Sequence, residues 1–283
     1  MDKKVGPTFL MLREAKNLTL KDVTAGEFSF SQQSKFERGE TSLTVDKFFV
    51  ILKNSKIYLD EFFDVYENYT MSEDYVFHKE LGAAHREHDL NKIKKWLNYW
   101  SEKEKNEPQK KENVLNKMAT SVALAQTAGG IPFKEEIQFL EHYLEAVSQW
   151  GRYELWLFSI CQHYLDDGML KYYGDTIFEK SSFYKNIHLN QQMVLRTMLN
   201  LVDTWLCRRN LGQALIYINR VKTIGIGIEF FDEAITLRYH EGWYRYLQGD
   251  TSGKGVMLDC ARDLEKYGYS KEATSLYQEI EDL

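Results

Sequence analysis

The chain is 283 residues long, 43% hydrophobic and 28% charged, with a net charge of −6, values that fit a folded globular protein and exclude an intrinsically disordered one. No run approaches the roughly 20 apolar residues that cross a bilayer, and the apolar patch Phe9-Leu10-Met11-Leu12 is stopped by Arg13 and Glu14 too soon for a signal-peptide core. Only three prolines interrupt the chain, which favours an all-α protein, and the three scattered cysteines, Cys161, Cys207 and Cys260, form neither a CxxC pair nor a metal cluster, so reduced thiols in the cytoplasm are expected.

Residues 1–59 carry ten Lys/Arg against seven Asp/Glu, a net of +3, which leaves −9 for residues 60–283. A basic head on an acidic body suits a nucleic-acid-binding module joined to a part that does not touch nucleic acid. In the head, Val5, Phe9, Leu10 and Leu12 give an apolar face to a first helix ending near Lys16-Asn17. Thr19 stands at an N-cap position, with Asp22 in the first turn of a short second helix where the dipole favours an anion. After a turn at Gly26, Ser29 and Gln32 have capping-box spacing and Gly39 suits a left-handed helix end, so Ser29–Arg38 is predicted to be a third helix. Its polar face shows Ser31, Gln32, Lys35 and Arg38, residue types that hydrogen-bond to base edges or phosphates. Thr44 is the expected cap of a fourth helix through Phe48, Phe49, Ile51 and Leu52, and a last turn near Asp60 is expected to pack Phe62 and Phe63. Two short helices joined by a tight turn, the second rich in donors, form a helix-turn-helix arrangement. A polar helix face is also simply a solvated one, so this pattern alone leaves DNA binding open.

The ordered set Arg13, the Thr19-capped helix, Ser31, Ser34, Phe36-Glu37-Arg38-Gly39 and Leu59-Asp60-Glu61-Phe62 resembles the phage-repressor-like helix-turn-helix family. The resemblance implies a DNA-binding domain over residues 1–66 with Ser29–Arg38 in the major groove of double-stranded DNA. It places base contacts on Phe30, Ser31 and Lys35 and backbone contacts on Arg13, Gln32 and Arg38, with Ser29 at the helix start. Gln33 departs from the pattern, standing where the family buries an aliphatic residue. Either the helix is rotated or Gln33 finds a buried partner.

Residues 67–283 read as amphipathic helices: Glu73–His88, Leu90–Lys105, Gln109–Thr127, Phe133–Gln149, Arg152–Asp166, Met169–Phe183, Leu189–Arg208, Gly212–Thr223, Phe230–Leu247, Gly253–Tyr267 and Lys271–Asp282. The short linkers between them carry Gly, Asn or Pro and make antiparallel neighbours. The pairs recur at about the 34-residue period of tetratricopeptide-like repeats, most clearly in Trp243, Tyr246, Leu247, Gly249 and Asp250 followed by Gly255, Ala261, Leu264, Tyr267 and Gly268. An α-solenoid of such pairs presents a concave surface suited to an extended peptide. Arg152, Trp156, Ser159 and His163 share one helix face by spacing, as do Arg196, Asn200 and Asp203, with Asn190 and Met193 at the start of the same long helix. With Tyr153 these residues supply the donors, acceptors and apolar surface that a bound peptide needs. Solvated outer-face positions are the alternative for each.

The leading Leu12-Arg13, Lys35-Phe36-Glu37-Arg38-Gly39-Glu40, Trp150-Gly151-Arg152-Tyr153-Glu154-Leu155 and Leu206-Cys207-Arg208-Arg209-Asn210 together resemble the Rgg/GadR/MutR family of regulators across essentially the full chain. That resemblance implies a homodimer whose repeats bind a short signalling peptide and change transcription, a quorum-sensing arrangement with no cofactor and no membrane partner. The candidate peptide contacts are Arg152, Tyr153, Trp156, Asn190, Met193, Arg196 and Asn200. Some members cross-link their DNA-binding domains through a cysteine in the fourth helix. The matching position here is Val45, so no intermolecular disulfide is expected. The alternative is a helix-turn-helix regulator whose helical domain only dimerises or docks a protein.

Enzyme and metal readings find little support. His85-Arg86-Glu87-His88 offers two imidazoles without a third ligand, and Gly225-Ile226-Gly227 lacks the third glycine and strand context of a phosphate loop. No catalytic residue is assigned.

Overall fold

The computed structural model describes residues 4–68, 73–184 and 188–283, and every regular element among them is helical. The chain divides into two compact units, Met1–Glu80 and Leu81–Leu283.

In the first unit, α1 (Val5–Ala15), α2 (Leu20–Thr24), α3 (Phe30–Glu37), α4 (Val45–Ser55) and α5 (Leu59–Tyr66) enclose a core of Phe9, Val23, Phe36, Ile51, Leu52, Ile57 and Phe62. The Thr19 cap forms as its sequence dictates: the hydroxyl accepts from the Asp22 amide at 3.2 Å, and the Asp22 carboxylate accepts from the Thr19 amide at 2.7 Å. The crossing of α1 over α3 depends on one residue. A Cβ on Gly6 would lie 1.7 Å from the Phe36 carbonyl oxygen, so only glycine allows the contact. Two expectations fail here. Thr44 holds the N-cap position of α4, yet its side chain makes no cap hydrogen bond, and Phe63 is 52% exposed, because the single step along the helix from Phe62 to Phe63 swings it away from the core.

The next helix, α6 (Glu73–Arg86), contains the division between the units. The second unit continues with α7 (Leu90–Asn106), α8 (Lys111–Thr127), α9 (Lys134–Ala146), α10 (Arg152–Cys161), α11 (Asp167–Tyr184), α12 (His188–Cys207), α13 (Leu211–Ile224), α14 (Phe231–Leu247), α15 (Ser252–Lys266) and α16 (Ser270–Glu281). Neighbouring helices pair as hairpins, and α8, α10, α12 and α14 also pack on one another in turn to form an inner layer. This is an α-solenoid of tetratricopeptide-like pairs. The close approach of α14 and α15 runs through Gly242 and Gly253, where a Cβ added to either glycine would meet the other's carbonyl oxygen within 2.9 Å, and not through Gly255, which has nothing within 4 Å.

One expected helix, Arg152–Asp166, is broken. After Cys161 the chain tightens into a 3-10 turn at Gln162–Tyr164, Leu165 becomes extended and buried, and the Asp166 carboxylate accepts from the Met169 amide at 2.9 Å to start α11. Burying Leu165 and capping α11 both require the helix to stop there.

Candidate functional site

The surface of α3 follows from what holds the helix in place. Ser29 caps it by accepting from the Gln32 amide at 3.2 Å, but the Gln32 side chain does not reach back to Ser29. The Gln32 amide oxygen accepts instead from Lys47 Nζ at 2.8 Å, and that ammonium lies over the Phe28 ring. The expected reciprocal box is therefore half formed, because α4 competes for the Gln32 side chain.

Gln33 is wholly buried and finds a partner. Its amide nitrogen donates to Glu37 Oε1 at 2.8 Å, and Glu37 in turn receives Arg13 through Nε and Nη2, each at 2.8 Å. Arg13 Nη1 donates to the Leu18 carbonyl at 2.6 Å. The hydrogen bond to Glu37 and the charge of that carboxylate raise the Arg13 pKa above its ordinary value, against the opposing effect of burial. With its side chain 12% exposed and its fork spent on Glu37, Arg13 is a structural anchor of α3. Arg38 is also engaged, through its Glu40 partner at 2.6 and 3.1 Å and through the Ser34 hydroxyl, but it remains half exposed. Phe30, Ser31 and Lys35 are left. All three are exposed, and among the described residues no hydrogen bond, ion pair or ring contact occupies their side chains.

In the second unit, α12 is enclosed by its neighbours on every side but one. Met193, Arg196, Asn200, Asp203 and Cys207 form the accessible stripe at intervals of three and four, while Val194, Leu195, Leu199, Val202 and Leu206 are buried. Asn190 and Met193 are half-buried at its start, and Asn200 is exposed. Arg196 is half exposed but already paired: Nε donates to Glu233 Oε1 at 2.7 Å, with Asp232 at 3.7 Å. Glu233, on α14, is 2% exposed and also accepts from Gln192 at 3.0 Å.

Lower on the stripe, Asp203 faces His240 at 3.7 Å and His163 at 4.0 Å. His163 reaches it from the 3-10 turn, so the face expected to carry Arg152, Trp156, Ser159 and His163 on one continuous helix is interrupted, and His163 hydrogen-bonds Thr204 of α12 instead. Burial holds His163 below its usual pKa, more strongly than Asp203 raises it.

On α10, Arg152 is exposed at the first turn and makes no ion pair. Tyr153 donates to Asn116 Oδ1 at 2.9 Å, and its ring packs on Trp156, which is nearly buried. Asn116 of α8 was not legible as a site residue. It is fully buried, and its amide nitrogen lacks a partner. Glu233, Gln192 and His240 were missed for the same reason: each acquires its role from a helix far away in sequence. Among the described residues no group of three or more His, Cys, Asp or Glu is placed to hold a metal ion, and no helix is long and apolar enough to cross a membrane.

Comparison with known proteins gives the chain's family and relates its fold to solved structures. The family model described as HTH-type transcriptional regulator Rgg, C-terminal domain, matches residues 95–279, more than half of the chain. This chain belongs to the Rgg family. The same fold runs through solved structures. The SHP pheromone receptor Rgg2 of Streptococcus dysgalactiae is 20% identical, with a TM-score of 0.77 and coverage of 98% of this chain and 99% of that one. A proposed transcriptional regulator from Listeria monocytogenes EGD-e is 18% identical, with a TM-score of 0.83 over 99% and 96%. The PrgX/cCF10 complex is 16% identical, with a TM-score of 0.69 over 99% of each chain.

Proposed function

We propose that this Rgg protein is a cytoplasmic, dimeric DNA-binding regulator whose repeat domain binds a short signalling peptide. The observation that carries the reading is the division of labour on α3. Gln33, Phe36 and Glu37 fix the helix from below, while Phe30, Ser31 and Lys35 are held outward with no internal partner. An unengaged set of one hydroxyl, one ammonium and one ring on a short capped helix suits base edges in a major groove. Gln32, Lys47 and Arg38 flank it as candidates for phosphate contacts. Two such heads in a dimer would read half-sites about 34 Å apart.

Peptide recognition is assigned to the α12 stripe with the exposed turn of α10. There Arg152 and Asn200 are unpaired, Tyr153 and Trp156 give aromatic surface, and Asn190 and Met193 border the floor. Arg196 belongs to this floor but acts as part of a neutral pair with Glu233. Rgg2 is described as a pheromone receptor and PrgX was solved with cCF10, which supports the same class of ligand here.

Mobility shift on duplexes selected from a random library tests the DNA half: the Ser31→Ala/Lys35→Ala double variant should bind at least about tenfold more weakly at physiological salt. Calorimetry with a synthetic library of apolar octapeptides tests the other half, with heat of binding reduced in Arg152→Ala and Asn200→Ala. An absence of binding even in the wild-type chain leaves the repeats as a dimerisation or protein-docking body.

A further inference from the structure

Phe30 is out of place for a residue that serves only its own fold. It opens α3, is 49% exposed, and belongs neither to the core of Phe9, Val23, Phe36, Ile51, Leu52, Ile57 and Phe62 nor to the half-buried residues packed on that core. No other ring lies against it. An aromatic ring left in water forfeits the free energy of its burial. Its neighbours along the helix are polar: the Ser29 cap, Ser31 and, one turn on, Ser34. Met11, Val45, Phe49, Leu59 and Phe63, also exposed, lie on α1, α4 and α5 rather than on α3. On α3, Phe30 is the single large apolar group in a hydrogen-bonding surface.

We infer that Phe30 contacts the 5-methyl group of a thymine, so that each half-site bound by this protein carries a T·A pair under the first turn of α3. The inference rests on α3 being the groove-reading helix. The floor of the major groove offers donors and acceptors at every base pair, but only one apolar group, the thymine methyl. N-terminal residues of a recognition helix are the ones that reach base edges, and Phe30 is the first residue of α3. Ser31 and Lys35, also exposed on α3, satisfy the hydrogen-bonding edges. A protein partner would call for a contiguous apolar patch, and a lone exposed ring on a helix whose other exposed side chains are polar is not one.

The thymine methyl can be removed without touching base pairing, by substituting deoxyuridine. The full chain is used to enrich duplexes from a random-sequence library, and an enriched duplex is resynthesised with deoxyuridine replacing each thymidine in turn. Wild type should lose about fourfold in affinity at one thymidine per half-site, the worth of one methyl-sized group. Phe30→Ala should bind the thymidine duplex more weakly and show no change on substitution there. Its melting temperature should match wild type, since Phe30 lies outside the core. A flat deoxyuridine scan in a wild-type protein that does bind the duplex overturns the inference and leaves the DNA-binding reading standing. Sensitivity at the same thymidine that persists in Phe30→Ala overturns it too, by assigning the methyl to another residue. Failure to enrich any duplex removes the groove-reading helix, and the inference with it.

Discussion

The two candidate surfaces handle charge in opposite ways. On α3 the charges are sorted by depth: Glu37 and Arg13 neutralise each other beneath the helix, and Lys35 stands above it without a hydrogen bond. On α12 the charges of the surface itself are paired sideways, Arg196 with Glu233 of α14 and Asp203 toward His163 and His240. The short helix is anchored so that its outer face is free for a partner. The long one is enclosed, so its accessible stripe doubles as part of the packing between helices. A ligand on α3 adds contacts, whereas a ligand on α12 must fit around contacts already made. On the proposed reading, specificity on the first surface is a matter of side-chain identity, and on the second of shape and of Arg152 and Asn200, which have no side-chain partner among the described residues.

The largest expected effect breaks the anchor. Glu37→Ala leaves the Arg13 guanidinium and the Gln33 amide buried without their acceptor, and the first unit should lose about 3–5 kcal/mol of stability, read by thermal or urea unfolding of the full chain. Loss of less than about 1 kcal/mol, the range of an exposed pair, would show that the network is incidental. Next is Arg196→Ala, which leaves the buried Glu233 carboxylate with Gln192 alone and should cost about 1–3 kcal/mol. Its unfolding signal belongs to the repeats, so the two variants together separate the units. A smaller effect comes from acid. Burial lowers the pKa of His78, to about 4, and also those of His85 and His163. The unfolded chain, with histidines near about 6.5, then binds more protons than the folded one, so the contribution of these histidines to stability is complete above about pH 6.5 and falls as pH drops from there toward about 4. Melting temperatures between about pH 7.5 and pH 5 should decline; a rise on acidification would mean that pairing with Asp203 outweighs burial at His163. The smallest effect is Arg38→Ala. Its exposed pair with Glu40 should leave the melting temperature unchanged while DNA binding weakens.

Much of the fold was legible because it is written in local periodicity. The helices and their short links follow from apolar spacing and from caps such as Thr19 and Ser29, each of which meets the amide three residues on. What escaped was whatever depends on distant residues. Arg13 reads as a phosphate contact until Glu37, 24 residues later, takes its fork. Arg196 reads as one of a face shared with Asn200 and Asp203, and its pairing with Glu233, 37 residues on, has no local signal. The break after Cys161 has no proline or glycine to announce it, since it serves the burial of Leu165. Gln33 was a partial exception: a glutamine at an apolar position left either a rotated helix or a buried partner, and the structure supplies the partner, Glu37.

The central claim is that the outward face of α3 touches bases. A photo-crosslinking residue placed at Ser31 of the full chain, irradiated on a duplex enriched from a random library, tests it most directly. The account expects covalent adducts on bases within each half-site. Adducts confined to the protein itself, from a chain that still binds the duplex, would contradict it.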